Sequence, residues 1–400
     1  MSLLILIVLY LLALTGLLLA SFLALEVAAA MFPPAGMPEP DARPAGSMVV
    51  VIPAHNEAGD ILPTLANVRA QLRAGDRTLV VADNCTDNTA ELARDAGADV
   101  IERHDAVKRG KGYALQFALD HLRAFPPQLV MFTDADCMFA PGALQRVANS
   151  AAKEDRPAQA LYLMKAPAGA SPRLKVAEFA WAFMNAVRMR GLQQWFNVTR
   201  FTGAGFAAPW KVLEHVQMGS AEIVEDLAIT MQLIRQGAAP MLVADAVIES
   251  EFPGEDAALT RQAARWSIGS LRYGARASAG ALIEGVKLER LQQIGAAIDL
   301  MIPPLTVFVS ALLAIVGVCA AGWIAFGVSN PFALALAALV IAGGAIVAAW
   351  LKFGREILPA SDLRGLVQFL FSKVAVFGAK GRESAKSWTP TRGGPETDDQ

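Results

Sequence analysis

Charge is scarce in this 400-residue chain: Asp, Glu, Lys and Arg together make up 18%, against 54% for the hydrophobic residues. An average soluble domain carries about 25% charged residues, so part of this chain belongs in lipid. Cysteine is scarcer still. Cys85, Cys137 and Cys319 are the whole complement and show no C-x-x-C spacing, which leaves no disulfide framework to read. The net charge of −2 is too near zero for a nucleic-acid partner. No repeat of fixed period is present. The pattern G-x-x-x-x-G-K-[ST] is missing, so there is no P-loop, and no G-x-G-x-x-G follows the first strand-like run, which excludes a dinucleotide-dependent membrane oxidoreductase.

What the chain does have is long uncharged runs. Residues 3–25 form one of 23 residues, enough at about 1.5 Å per residue to cross a hydrocarbon core of about 30 Å. The competing reading is a cleaved signal peptide, with Ala28 to Ala30 as the small residues of a cleavage site. Against it, "MSLLIL" has no basic n-region, and the run exceeds a signal h-region of about 7 to 15 residues. An uncleaved anchor is therefore expected. Residues 300–326 and 332–351, joined by "GVSNP", read as a membrane hairpin. Arg43, Arg69, Arg73 and Arg77 follow the first span, Lys287 and Arg290 precede the hairpin, and Lys352 and Arg355 follow it. By the positive-inside rule the N-terminus lies outside and the large middle part in the cytoplasm. The expected layout is an anchor (1–31), a proline-rich linker (32–47), a cytoplasmic domain (48–258), amphipathic interfacial helices (259–298), the hairpin (299–352), and an amphipathic helix with a polar tail (353–400). The last helix is read from Leu363, Leu366, Val367, Leu370, Phe371, Val374 and Phe377 at helical spacing.

Through the middle part, short apolar runs alternate with helical patterns: "MVVVIP" before a helix-like stretch 57–73, "TLVVAD" before "TAELARDAGA", and "LVMFTD" before a stretch opening at Pro141. This alternation predicts an α/β fold with a parallel sheet and crossover helices, whose ligands gather at the carboxyl ends of the strands. Those ends read "AHNE", "DNCTDNT" and "DADC". Asp134 and Asp136, one residue apart, would project to one side of an extended backbone. They read as a turn or helix cap, or as a place for a divalent cation with a diphosphate. Glu57 and Asp83 are candidates to accept from a base or ribose. "KRGKGYAL" sets three cations and two glycines before a helix, where backbone and dipole meet phosphate, although such cations also form solvated faces. In "EIVEDLAITMQLIRQG" the acids suit the first turn of a helix that Gly237 would end. Gln262, Arg265 and Trp266, at i, i+3 and i+4, share one helical face. Arg261, Arg265, Arg272 and Arg276 also suit lipid headgroups. "TGAGF" is either a plain turn or, at Gly203, a close backbone approach to an acceptor.

"VVIPAHNE", "DNCTDNT", "RGKGYAL", "TDAD", "TGAGF", "VED" and "QAARW" occur in the order and spacing of the membrane-bound family 2 glycosyltransferases, the group that includes cellulose, chitin and hyaluronan synthases. The resemblance covers residues 48–266. It implies a nucleotide-diphospho-sugar transferase domain of the GT-A type, a Rossmann-like mixed sheet, in a multi-pass protein of the plasma (inner) membrane with its catalytic domain cytoplasmic. It also implies roles. Pro53, His55, Glu57, Asp83, Lys111, Asp134 and Asp136 would bind the nucleotide sugar, a UDP-sugar by expectation. Asp136 would hold Mg2+ or Mn2+, and Asp226 would be the general base of an inverting transfer. Gly203, Gln262, Arg265 and Trp266 would serve the acceptor and diphosphate, the acceptor being a glycan or lipid-linked molecule against membrane lipids. Asn84 and Cys85 depart from the usual D-D-G-S-T-D-G-T, Ala263 stands where processive enzymes carry Gln or Arg, and the membrane part is small. The alternative function is a non-catalytic nucleotide-sugar sensor, for which Asp226 or the paired aspartates would be dispensable.

Overall fold

The computed structural model describes residues 3–32, 47–219, 224–252 and 256–366. The chain divides into two compact units, one made mainly of apolar helices and one built on a sheet. The linker prolines Pro33, Pro34, Pro38, Pro40 and Pro44 lie outside the described residues, as does the last amphipathic helix from Val367 onward together with the polar tail.

The sheet unit spans Gly36–Ala170 and Val198–Gly269. Its strands are β1 (Met48–Ala54), β2 (Arg77–Asp83), β3 (Asp99–Arg103), β4 (Leu129–Phe132), β5 (Met138–Phe139), β6 (Ala158–Lys165), β7 (Phe206–Pro209) and β8 (Met241–Glu251). They form one sheet in the order β3-β2-β1-β4-β7-β6-β8-β5. The first four are mutually parallel, β7 is antiparallel to both β4 and β6, and β8 runs parallel to β6. The parallel strands are what the alternation predicts; the antiparallel β7, which makes the sheet mixed, agrees instead with what the family resemblance implies. Strands β1 and β4 are buried along almost their whole length because helices cover both faces, which is why they read as unbroken Val, Ile, Leu and Met runs.

The crossover helices follow their apolar spacing. Ile61–Arg69 buries Ile61, Thr64, Leu65 and Val68, and Ala143–Glu154 buries Leu144, Val147, Ala148 and Ala151. Lys111–Leu122 packs Ala114, Leu115, Ala118, Leu119 and Leu122 against Val49, Val51, Leu79 and Val81 of the parallel strands. Phe206 stacks between Phe132 and Phe201, at centroid distances of 4.7 and 4.1 Å. Helix Glu225–Arg235 stops where Gly237 takes φ +82° and its N–H returns to Ile234 O at 3.0 Å.

In the helical unit, Leu3–Ala30, Leu305–Phe326 and Asn330–Gly354 are, among the described residues, three helices long and apolar enough to cross a membrane. Ala13, Cys319 and Ala335 meet in a common cluster with Leu9, small side chains that let the helices approach closely. The second of these helices begins at Leu305 rather than at residue 300. Pro303 and Pro304 separate it from a distinct helix, Leu291–Met301, since a proline cannot donate to the preceding turn.

A further difference concerns Ser171–Asn197, which the layout above leaves inside the 48–258 domain but which belongs to the helical unit. Its helices are Pro172–Ala182, a π-turn at Phe183–Arg188, and Met189–Phe196. Arg188, 1% exposed, explains the placement: its Nε donates to Glu26 Oε2 at 2.8 Å and its Nη2 to Asp299 Oδ1 at 2.5 Å. Glu26 closes the 23-residue uncharged run of the first helix, and a carboxylate buried there requires a partner. Gly191 allows the contact, because a Cβ on it would lie 2.1 Å from Glu26 O.

Candidate active site

The loops after β1 and β2 interlock at the carboxyl edge of the sheet. Asn56 takes φ 55°, and its Oδ1 accepts the Thr86 N–H at 2.8 Å. The Glu57 N–H donates to Thr89 Oγ1 at 2.9 Å and the Ala58 N–H to Asp87 Oδ2 at 3.2 Å, while His55 Nδ1 lies 2.6 Å from Asp83 O. Cys85 Sγ lies between the loops, 3.4 Å from Ala54 O. "AHNE" and "DNCTDNT" are therefore one rigid wall. Pro53 stands half-buried near the end of β1, paired in register with Val81.

Asp83, 6% exposed, faces a cation that sequence reasoning misses. Arg103 Nη1 donates to Asp83 Oδ1 at 2.6 Å, and Asn84 Nδ2 donates to the same oxygen at 2.9 Å. Asn84 Oδ1 accepts the Asp105 N–H at 2.8 Å, which settles which end of the amide meets Asp83. An aspartate at this position would set two carboxylates side by side, so the Asn84 departure strengthens the anchoring of Asp83. Burial raises the Asp83 carboxyl above its ordinary value, and Arg103, His55 and Arg109 oppose that rise.

The second cluster centres on Lys111, the first residue of its helix, reached through Gly110 at φ 124°. Its Nζ donates to Asp134 Oδ1 and, at 3.1 Å, to the carbonyl of Gly203, itself at φ +89°. "TGAGF" is thus joined to the aspartate pair through one ammonium. Burial acts to lower the Lys111 pKa, but Asp134 and Glu225 more than offset it and the ammonium is held charged. Glu225 and Asp226 open their helix. Burial followed by repulsion from Asp226 pushes Glu225 up to about 7. Burial also raises Asp226, opposed by the Leu227 N–H on its Oδ1 at 2.8 Å and by Lys111 and Arg200. Thr230 ties this helix to the "TGAGF" segment, donating to Asp226 O at 2.7 Å and accepting the Phe201 N–H at 2.9 Å.

Asp134 and Asp136 converge, but not by strand alternation. Strand β4 ends at Phe132 and the chain turns, with the Cys137 N–H returning to Asp134 O at 3.3 Å. Asp134, Asp136 and Cys137 each offer a ligand atom within 4.8 Å of the others. Burial, reinforced by the two carboxylates, raises the thiol well above its ordinary pKa, and two of the three groups are carboxylates, whose oxygens suit a hard divalent cation. Asp136 is a ligand candidate beside Asp134, which also accepts from Lys111. Gln262, Arg265 and Trp266 lie half-buried on helix Asp256–Lys287. The side chain of Arg261 lies outside the described residues.

Two sites along one strand edge, a nucleoside-type wall and an ammonium–carboxylate cluster, now have a family to be set against. The model of the glycosyltransferase-like family 2 matches residues 44–269, more than half the chain. The chain belongs to that family. The low-salt glycan biosynthesis hexosyltransferase Agl6 of Haloferax volcanii is 34% identical over 111 residues, 27% of this chain and 25% of that protein. The glycosyltransferase AglJ of the same organism is 35% identical over 114 residues, 26% of this chain and 34% of that protein. These matches span a minor part of both curated relatives. Among solved structures, the mannosyltransferase PcManGT from Pyrobaculum calidifontis, in complex with GDP-Man and Mn2+, superposes with a TM-score of 0.53. It is 21% identical and covers 90% of this chain and 99% of its own, a likeness of fold.

Proposed function

We propose that this glycosyltransferase moves a sugar from a nucleotide-diphospho-sugar to a membrane-associated glycan or lipid-linked acceptor, with inversion at the anomeric carbon. The observation that carries the reading is the position of Lys111. One ammonium bridges the aspartate turn and the Gly203 carbonyl, in the field of Glu225 and Asp226, at the edge where parallel sheets bind ligands. Agl6, named for hexosyl transfer in glycan biosynthesis, supports a hexose donor.

In this reading the wall of Pro53, His55, Glu57 and Asp83 holds the nucleoside, a uridine by expectation. Asp83 Oδ1 already accepts from Arg103 and Asn84, so Oδ2 is offered to a base or ribose donor. Lys111 faces the diphosphate, with Arg265 as a second cation. Mg2+ or Mn2+ held by Asp136 would neutralise charge on the departing diphosphate. Asp226 accepts the proton of the acceptor hydroxyl. That oxygen then forms its bond to the anomeric carbon as the bond to the diphosphate oxygen breaks, and inversion follows from attack on the opposite face. Burial raises both neighbouring carboxyls, and repulsion from Asp226 adds to the rise at Glu225, which favours one shared proton on the pair. Gly203, Gln262 and Trp266 line the acceptor side. In this reading the site is cytoplasmic in a protein of the inner membrane, and the charge bias around the apolar helices supports that orientation.

The test uses the full-length protein in membranes, a panel of radiolabelled nucleotide sugars with Mg2+ or Mn2+, and sizing of the product. Asp136→Asn is expected to abolish transfer by weakening cation-dependent donor binding. Asp226→Asn is expected to abolish transfer while donor binding persists. Transfer at the wild-type rate in either variant refutes the corresponding role, and donor binding without transfer by the unaltered protein selects the sensor.

A further inference from the structure

The turn that carries the aspartate pair is pinned from two directions. From the side of helix Ile61–Arg69, the Thr64 hydroxyl donates to Ala135 O at 2.6 Å, in buried surroundings. From the sheet side comes a line of three buried groups that no step above uses. Ser250 on β8 and Tyr162 on β6 sit on neighbouring parallel strands, where Met164 is the register partner of Ser250, and their hydroxyls meet at 2.7 Å. Tyr162 Oη lies 3.7 Å from Cys137 Sγ, and Cys137 Sγ lies 3.4 Å from Asp136 Oδ1. Exposure is 5% for Ser250, 6% for Tyr162 and 0% for Cys137.

A core position filled by a hydroxyl costs desolvation energy that a Phe or Val would not, unless the hydroxyl is bonded. Here the bonded line ends at a carboxylate. The thiol has one hydrogen and two acceptors in reach, and the charged oxygen of Asp136 is the stronger. The tyrosine hydroxyl, 3.7 Å from the sulfur, is the thiol's second polar neighbour in a fully buried position. A carboxylate whose torsions are set beforehand has less freedom to lose when it takes up a cation.

We infer that Cys137 and Tyr162 are positioning residues for Asp136, the sulfhydryl orienting its carboxylate and the tyrosine holding the sulfhydryl. The inference rests on the proposed role of Asp136 as cation ligand. Partners of this kind to a metal-binding carboxylate typically change metal affinity by about tenfold or more when removed.

The experiment is an electron paramagnetic resonance titration of free Mn2+ against the full-length protein, alone and with uridine diphosphate, beside a thermal melt of each variant. Cys137→Ala is expected to weaken Mn2+ about tenfold, and Cys137→Ser, which keeps a donor of similar reach, to recover most of that loss. Tyr162→Phe, which keeps the ring, is expected to weaken Mn2+ by less than the loss of the direct donor does. A purely structural role predicts instead that Mn2+ affinity follows melting temperature, with Ser no better than Ala. Either that pattern or wild-type Mn2+ affinity in Cys137→Ala overturns the inference while the cation site stands. If the unaltered protein binds no Mn2+ in either condition, both the site and the inference fall.

Discussion

Replacing Arg103 by Met removes the charge that faces Asp83 while keeping a long apolar stem over Tyr113, whose ring centroid lies 5.7 Å from the guanidinium carbon. The ion pair spans 2.6 Å with side-chain exposures of 9% and 8%. Little water is available to take over the solvation of a stranded carboxylate. Breaking a buried pair by removing one partner costs about 3–5 kcal/mol. The Arg103 contacts to Asp105 Oδ2 at 3.2 Å and to the Lys108 carbonyl go as well, but Asp105 is half-exposed and adds little. For a unit of roughly 200 residues the loss corresponds to a fall in Tm of roughly 6–20 °C.

The pH dependence follows from the direction of the Asp83 shift. Burial holds its folded-state pKa above the unfolded value of about 3.9, so the folded state binds more protons and stability falls as pH rises through that window. Without Arg103 the opposing attraction is gone and the folded value climbs further. The deficit of Arg103→Met should therefore be largest at pH 8 and shrink toward pH 5, as the stranded carboxyl takes up a proton. Melts of the detergent-solubilised full-length protein at both pH values measure it. The double variant Asp83→Asn with Arg103→Met should recover most of the loss. A single variant that melts with the wild type, or a double variant no better than the single, refutes the reasoning.

Two further outcomes are expected. Gly191→Ala sets a methyl 2.1 Å from the Glu26 carbonyl; helix backbones cannot yield that much, so a loss of about 1–3 kcal/mol is expected despite the better helix propensity of Ala, and an unchanged or raised melting temperature would show that the helices separate without cost. Glu225, pushed up to about 7, contributes stability that is complete below about 4.5 and is lost as pH rises through 7. Glu225→Gln should therefore melt near wild type at pH 5 and above it at pH 8, and parallel pH profiles for the two proteins would contradict the shift.

Much of this architecture was legible locally. Alternating strand and helix patterns led to the parallel strands, because β1 and β4 are buried on both faces and had to be apolar throughout, whereas the antiparallel β7 was not read from them. The three uncharged stretches announced membrane-length helices by length alone. Convergence of Asp134 with Asp136 was also anticipated, but for the wrong reason, since a turn and not an extended strand brings them together. Arg103 was missed because it lies 20 residues beyond Asp83 with nothing periodic to connect them. They become neighbours only when β2 and β3 pair in the register that sets Asp83 beside Arg103. Tyr162 and Ser250 went unread for the same reason, since they meet only when β6 and β8 pair.

From the order of residues alone came the elements, the membrane-length helices, the motif series and hence the family, since each depends on neighbours within a few turns or a single strand. Only the folded chain decided that Ser171–Asn197 joins the helical unit, that Lys111 connects Asp134 to Gly203, and that Arg103 answers Asp83. Those are electrostatic choices between groups far apart in sequence. A buried charge takes whichever partner the packing brings within about 3 Å, and packing distance has no expression in sequence spacing.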